Sequence, residues 1–316
     1  MLITMRFVIY GAGAVGGVTG ALLARAGRDV VLIARGEHHA AIERDGLRVE
    51  TPDETFVVRV PVVAHPSQIA WRAGDVVLLA VKTQDVEPCV RELAAADVPT
   101  VCLTNGVEAE RIAARHLSNV HGGRVFMPVT HLVPGVVQAF SWPHVGAIDV
   151  GRYPHGSSDI VLAVPGLASQ ATDDIMRLKR GKLLGNLGNA IEALCGPLSR
   201  GTPILDRVRA EGVACFEAAG LSRTTGDEDA AQWASIEMRP IANAARPGGS
   251  TWQSLARGRA LEVDYLNGEI ALLGRLHGVP TPINTGLQRL ANTAARAGAR
   301  PGALALADLE AQLLGS

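Results

Sequence analysis

The chain has 316 residues, 47% of them hydrophobic and 19% charged, which exceeds the usual single core and sets two domains as the expectation. Its 30 Lys and Arg nearly balance its 31 Asp and Glu, for a net charge of -1. That balance gives no electrostatic reason to expect nucleic acid or an anionic membrane as partner.

The first predicted element is the short apolar strand Phe7-Val8-Ile9-Tyr10. It runs into Gly11, Ala12, Gly13, Ala14, Val15 and Gly16, and an Ala/Leu-rich helix follows through Ala24. This is G-x-G-x-x-G in the context that gives it meaning, after a strand and at the start of a helix. Gly11 permits the tight turn, Gly13 lets the backbone approach a pyrophosphate, and Gly16 lets helix and strand pack closely. The helix N-terminus adds free N–H groups and a partial positive charge, so these residues form a candidate dinucleotide site.

The next strand, Asp29 to Ala34, ends at Arg35. A protein selective for NAD usually places a carboxylate here, about 20 residues past the glycines, for the ribose hydroxyls. A guanidinium there pairs instead with a 2′-phosphate, so NADP(H) is the expected cofactor. The alternative leaves Arg35 in solvent and gives the ribose to Glu37.

Segment 38–70 reads as a short helix followed by strands near Leu47–Thr51 and Phe56–Val63. Within Asp75–Thr83 the run Val76–Val81 is continuously apolar, as a strand buried on both faces requires, and Lys82 stands at its C-terminal end. Helix 85–95 follows, then strand Thr100–Leu103 with Asn105 at its end. A Lys or Asn after a strand is by default a solvated cap. Two of them at equivalent strand ends, where open α/β sheets bind ligands, count for more together as functional candidates. Segment 107–116 should be helical. Strands at 126–131, 136–140 and 145–151, with turns at Pro134-Gly135 and Trp142-Pro143, suggest a small antiparallel addition to the parallel sheet. His131, a strand residue beside turns, reads as a structural hydrogen-bonder.

From about 170 the pattern is helical: 171–193 with a break near Gly181, then 203–219, 228–238, 262–277 and 283–297. The expected division is therefore a dinucleotide-binding domain over 1–171 and a helical substrate domain over 172–316. Lys182 and Asn186 are an i, i+4 pair on one helix face, with Asn189 a turn further on. Such a row on an apolar helix suits a small hydroxylated acid, since buried amides need partners. The alternative is a face packed on polar backbone of the first domain. Ser250 begins the stretch Ser250-Thr251-Trp252-Gln253. Glu262 and Asp264 read locally as acids in the first turn of a helix, favourable to its dipole.

The four cysteines, Cys89, Cys102, Cys195 and Cys215, are scattered without a C-x-x-C. They read as reduced core residues, and no metal is expected. No apolar run reaches the ~18 residues of a membrane span, and the N-terminus lacks a signal-peptide pattern. A cytoplasmic location is the expectation.

Taken together, G-A-G-A-V-G-G at 11–17, V-K-T at 81–83, T-N-G-V at 104–107, K-L-L-G-N at 182–186 and E-V-D-Y-L-N-G at 262–268 resemble the ketopantoate reductases in order and spacing. Thr281-Pro282-Ile283-Asn284 fits as well, so the resemblance spans nearly the whole chain. It implies an α/β Rossmann domain joined to an all-α domain of the 6-phosphogluconate-dehydrogenase-like type. It implies NADPH-dependent reduction of a 2-oxo acid, foremost 2-dehydropantoate, to the 2-hydroxy acid of pantothenate synthesis. By position Lys182 would be the proton donor, and Asn186 and Ser250 would hold the substrate, with Asn189 a further candidate. Glu262 would lie at the cofactor and active site, and Lys82 and Asn105 would contact the cofactor near the nicotinamide. Helical domains in such enzymes often pair, so a homodimer is compatible, although nothing in the sequence marks an interface.

Three departures fall on the substrate side. Ala190 stands where the family often has a second substrate asparagine, with Asn189 one residue early. Residues 195–201 replace a Gly-Glu-Leu segment, and Gln253-Ser254 replaces a Gln-Asp pair. A reductase of another 2-oxo acid, or a non-catalytic NADP(H)-binding protein, are the other readings. The intact Lys182 argues against the last.

Overall fold

The computed structural model describes residues 5–197, 202–234 and 236–315. Of the departing stretch 195–201, residues 198–201 lie outside the described residues. Two compact units are present. The first comprises residues 1–104, 108–176 and 226–246, and the second residues 105–107, 177–225 and 247–316. The expected passage between 171 and 172 corresponds to the step after Met176, and the first unit takes 226–246 in addition.

The first unit opens with β1 (Arg6–Tyr10), α1 (Ala14–Arg25), β2 (Asp29–Ile33), α2 (Gly36–Asp45), β3 (Leu47–Glu50), β4 (Thr55–Val58) and β5 (Val62–Val63). It continues with β6 (Asp75–Leu79), α3 (Val86–Leu93), β7 (Thr100–Cys102), α4 (Ala109–Ala113), β8 (Val120–Phe126), β9 (Val129–Val133), β10 (Val136–Ala139), β11 (Ser141–Pro143), β12 (Gly146–Arg152) and β13 (Leu167–Ala171). Six parallel strands lie in the order β5-β2-β1-β6-β7-β8. This is the doubly wound order whose switch point, between β1 and β6, is where such sheets bind ligands. β12 joins β8 antiparallel, and β13 joins β12 parallel.

The strands are buried on both faces because their residues alternate between two cores. Phe7, Ile9, Val30, Leu32, Val76 and Leu78 pack with Val18, Ala21 and Leu22 of α1. Val8, Tyr10, Val31, Ile33, Val77 and Leu79 pack with Val86, Cys89 and Val90 of α3.

Two expectations need correction here. The strand read over 56–63 is two strands, parted before Pro61: β4 pairs with β3, and β5 extends the main sheet beside β2. The antiparallel addition is also divided. β9 and β10 leave the main sheet for a second one, in the order β4-β3-β10-β9, and only β12 adds to the first. The Trp142-Pro143 turn is part of β11, which pairs with β14 (Ile236–Met238). The helix expected over 228–238 is thus α8 (Gly226–Trp233) followed by that strand. Both belong to the first unit.

The second unit holds α5 (Ile175–Asn186) from its third residue on, α6 (Asn189–Cys195), α7 (Pro203–Ala218), α9 (Ser250–Ala256), α10 (Asn267–His277), α11 (Pro282–Arg296) and α12 (Leu306–Leu314). Leu183, Leu187, Ile191, Val208, Phe216, Ile270 and Leu287 share its core. The break in the first long helix falls after Asn186, at Leu187-Gly188, and not near Gly181, which is buried inside α5. The helix expected from Glu262 begins at Asn267, and a 3-10 turn, Val263–Tyr265, precedes it. Cys89, Cys102 and Cys215 are buried and Cys195 is half-buried, all as free thiols. Among the described residues no helix is long and apolar enough to cross a membrane, and no cluster of three or more His, Cys, Asp or Glu is placed to hold a metal ion.

Candidate active site

In the first unit the predicted glycine loop lies at the switch point. Gly11 has φ +99, and a Cβ there would stand 2.9 Å from the Ala80 carbonyl oxygen. A Cβ on Gly16 would meet the Gly11 carbonyl oxygen and come within 2.9 Å of Ile9 Cγ2. Both positions therefore require glycine for the turn and the close helix–strand packing. The buried Ala12 donates its N–H to the Ile33 carbonyl at 3.1 Å, which ties the loop to β2. α1 starts after Gly13, its N-cap, and has no acidic residue in its first turn. The amides of Ala14, Val15 and Gly16 are first-turn donors that an α-helix cannot satisfy internally. Together with the side-chain-free cradle they fit the pyrophosphate of a dinucleotide.

His38 was not singled out by the sequence, yet it fastens this loop. Its Nδ1 accepts the Gly135 N–H at 2.9 Å, so its Nε2 carries the proton and donates to the Ala12 carbonyl oxygen at 2.6 Å. Its partners are backbone atoms far away in the chain, which leave no local sequence signal. The His131 ring lies with its centroid 4.0 Å from that of His38. A Cβ on Gly13 would stand 3.8 Å from His131 Nδ1, so this histidine borders the glycine loop.

Arg35 is the N-cap residue of α2, with its side chain 63% exposed. It donates to the Tyr10 hydroxyl at 3.1 Å and faces the Glu92 carboxylate at 3.8 Å. Glu37 is exposed in the first turn of α2. Lys82 is half-buried after β6 and caps the 3-10 turn Thr83–Asp85.

In the second unit three predicted residues meet at one atom. The Asn105 side-chain oxygen accepts from Lys182 Nζ at 2.9 Å and from Asn186 Nδ2 at 3.3 Å. The i, i+4 spacing on α5 brings the two donors to the same acceptor. Gly106, with φ +74, holds the Asn105 loop: a Cβ there would be 2.7 Å from the Tyr265 carbonyl oxygen. An ammonium has three N–H donors, and Asn105 aligns the lysine by engaging one.

The row does not extend to Asn189 as expected. The helix breaks before it, and Asn189 is the buried first residue of α6. Ser250 opens α9 behind Gly249, whose N–H donates to Glu192 Oε2 at 3.3 Å. Glu262 is 7% exposed and caps the 3-10 turn ahead of α10 rather than standing inside a helix. Asp264 accepts from Gln288 and Asn292, each at 2.7 Å, so it fastens α11 instead of serving a first-turn dipole.

A family model described as ketopantoate reductase PanE/ApbA matches residues 7–155, and its C-terminal companion matches 174–295. The 2-dehydropantoate 2-reductase of Archaeoglobus fulgidus is 31% identical over 297 residues, covering 90% of this chain and 96% of that one. The chain belongs to the ketopantoate reductase family. The enzyme of the same name from Halobacterium salinarum is 31% identical, over 93% of this chain and 100% of its own. A solved ketopantoate reductase of this family from Ralstonia eutropha superposes with a TM-score of 0.78 at 30% identity, over 93% and 99% of the two chains. D-mandelate dehydrogenase, solved with NADH and anilino(oxo)acetate, shares the fold at 20% identity and a TM-score of 0.76. Membership in the ketopantoate reductase family makes the chain an oxidoreductase acting on CH–OH. The expected fold class, a Rossmann-like parallel sheet followed by a helical unit, is borne out.

Proposed function

We propose that the chain reduces 2-dehydropantoate to pantoate with NADPH, the reducing step toward pantothenate. The observation that carries this reading is the convergence of Lys182 and Asn186 on the Asn105 oxygen. Reduction of a ketone builds negative charge on its oxygen, and an ammonium aimed there stabilises that charge and supplies the proton. Lys182 has this role, and Asn105 fixes its direction. Asn186, Asn189 and Ser250 bind the carboxylate and hydroxyls of the acid, and Glu262 works beside them at the active site. The bound nicotinamide supplies the hydride, so the protein's part is positioning and electrostatics. The loop from Gly11 to Gly16 takes the pyrophosphate, Lys82 and Asn105 serve the nicotinamide end, and Arg35 takes the 2′-phosphate.

NADPH oxidation followed by absorbance tests this reading, with 2-dehydropantoate and a panel of other 2-oxo acids, each repeated with NADH. Fastest turnover is expected for 2-dehydropantoate with NADPH. In Lys182→Ala, kcat should fall by roughly 10²- to 10⁴-fold with an unchanged Kd for NADPH. Turnover within tenfold of wild type removes Lys182 from the role. The altered positions Ala190 and Gln253-Ser254 favour a second reading, a related 2-oxo acid as substrate, which faster turnover of another panel member would establish.

A further inference from the structure

We propose that Tyr10 is a specificity-determining residue, whose phenol oxygen holds the Arg35 guanidinium ready for a 2′-phosphate. The inference rests on the assignment of Arg35 to that phosphate made above. Parity along the strands supplies the geometry. Tyr10 and Ile33 point to the α3 face of the sheet, and Arg35, two residues past Ile33, continues on that side. The phenol is buried at 2% exposure and its hydrogen bonds run one way. It donates its proton to Glu92 Oε2 and accepts from Arg35 Nη2 at 3.1 Å. Glu92 is held in turn by His65, whose Nε2 lies 3.3 Å from Oε1. Burial and the Glu92 hydrogen bond push the phenol pKa up, so the group stays a neutral hydroxyl.

The consequence concerns Arg35. Its side chain is long and mostly exposed, and it would otherwise sample many rotamers. A buried acceptor with its own proton already committed selects one of them. A guanidinium has five N–H donors in a rigid fork, and Tyr10 engages one of them. Tyr10 and Glu92 both approach the same nitrogen, Nη2, and the other edge of the fork, Nε and Nη1, suits bidentate contact with a phosphate. A dinucleotide without the 2′-phosphate has no use for this arrangement, so the effect of Tyr10 is selective.

Calorimetric binding of 2′,5′-ADP, ADP, NADPH and NADH to wild type, Tyr10→Phe, Arg35→Ala and the double variant tests the proposal. Tyr10→Phe is expected to weaken 2′,5′-ADP and NADPH by roughly 3- to 10-fold, the worth of one hydrogen bond. ADP and NADH should stay within twofold. In the Arg35→Ala background the second substitution should add nothing. Equal weakening of phosphorylated and unphosphorylated nucleotides, or of neither, overturns the role of Tyr10. If Arg35→Ala itself leaves the ratio of NADPH to NADH affinity unchanged, the Arg35 assignment fails and this inference fails with it. A shift in Arg35→Ala without one in Tyr10→Phe rejects the inference alone.

Discussion

His38 is an imidazole committed at both nitrogens, one to the Gly135 N–H and one to the Ala12 carbonyl. Burial lowers its pKa below the ordinary 6.5, and burial lowers that of His121 as well. In the folded state both therefore resist protonation that the unfolded chain accepts. The unfolded state binds more protons below pH 6.5, so stability falls as pH drops from there toward the folded pKa values. Urea midpoints measured between pH 7.5 and 5 should decline through this window. In His38→Gln the decline should be shallower by one group's share; an unchanged slope would show that His38 does not contribute. At this scale the sequence is informative where a residue's role follows from its own spacing. Lys182 and Asn186 are of that kind in their placement, since their i, i+4 spacing brings both to the Asn105 oxygen. It is silent where the partner is remote backbone, as for His38, and misleading where local spacing assumes an unbroken helix, as for Asn189.

Element boundaries show the same division. The order from β1 to β7 follows from apolar runs and the glycine loop, both visible in the chain, whereas β8, with His121, Gly122, Gly123 and Arg124 in its middle, and β13 and β14 carry no such run. The break at Leu187-Gly188 is not visible either, because helical periodicity continues through it. Its cause is tertiary. Asn267 Nδ2 donates to the Leu187 carbonyl at 3.1 Å, and a Cβ on Gly188 would stand 2.8 Å from Leu205 Cδ1. The start of α11 is likewise finished from outside. Glu211 of α7 accepts from the backbone amides of Ile283 and Asn284, both at 2.9 Å, and from Asn284 Nδ2 at 2.7 Å. This is a cap supplied by another helix, with a carboxylate at the positive end of the dipole. Glu211→Ala leaves those donors without their acceptor and should cost about 1–3 kcal/mol, read as a lower urea midpoint at unchanged m-value. A loss below ~0.5 kcal/mol, the ordinary range for surface changes, would mean that water replaces the carboxylate.

At the scale of the molecule, segment 226–246 completes a unit that the chain left at Met176. β14 covers β11. Asp229 reaches Arg124 at 3.0 Å, and Arg124 is 4% exposed and also paired with Asp149 at 2.7 Å. A fragment of residues 1–176 therefore has an open strand edge and a buried cation short of one carboxylate. Its melting temperature should lie at least ~3 °C below that of the same fragment with 226–246 rejoined through a Gly/Ser linker. Equal melting temperatures would show that the returning segment adds no stability. Apolar periodicity could not have placed this segment, because it reads helical like its neighbours.

The returning segment also sets an order of events in the cell. Synthesis proceeds at ~5–20 residues per second, and about 70 residues separate Met176 from Arg246. For about 4–14 s the nascent nucleotide-binding half waits on the ribosome for its last strand, with β11 uncovered. Over that interval β11 presents an unpaired strand edge, the kind of surface on which another strand or a chaperone can pair.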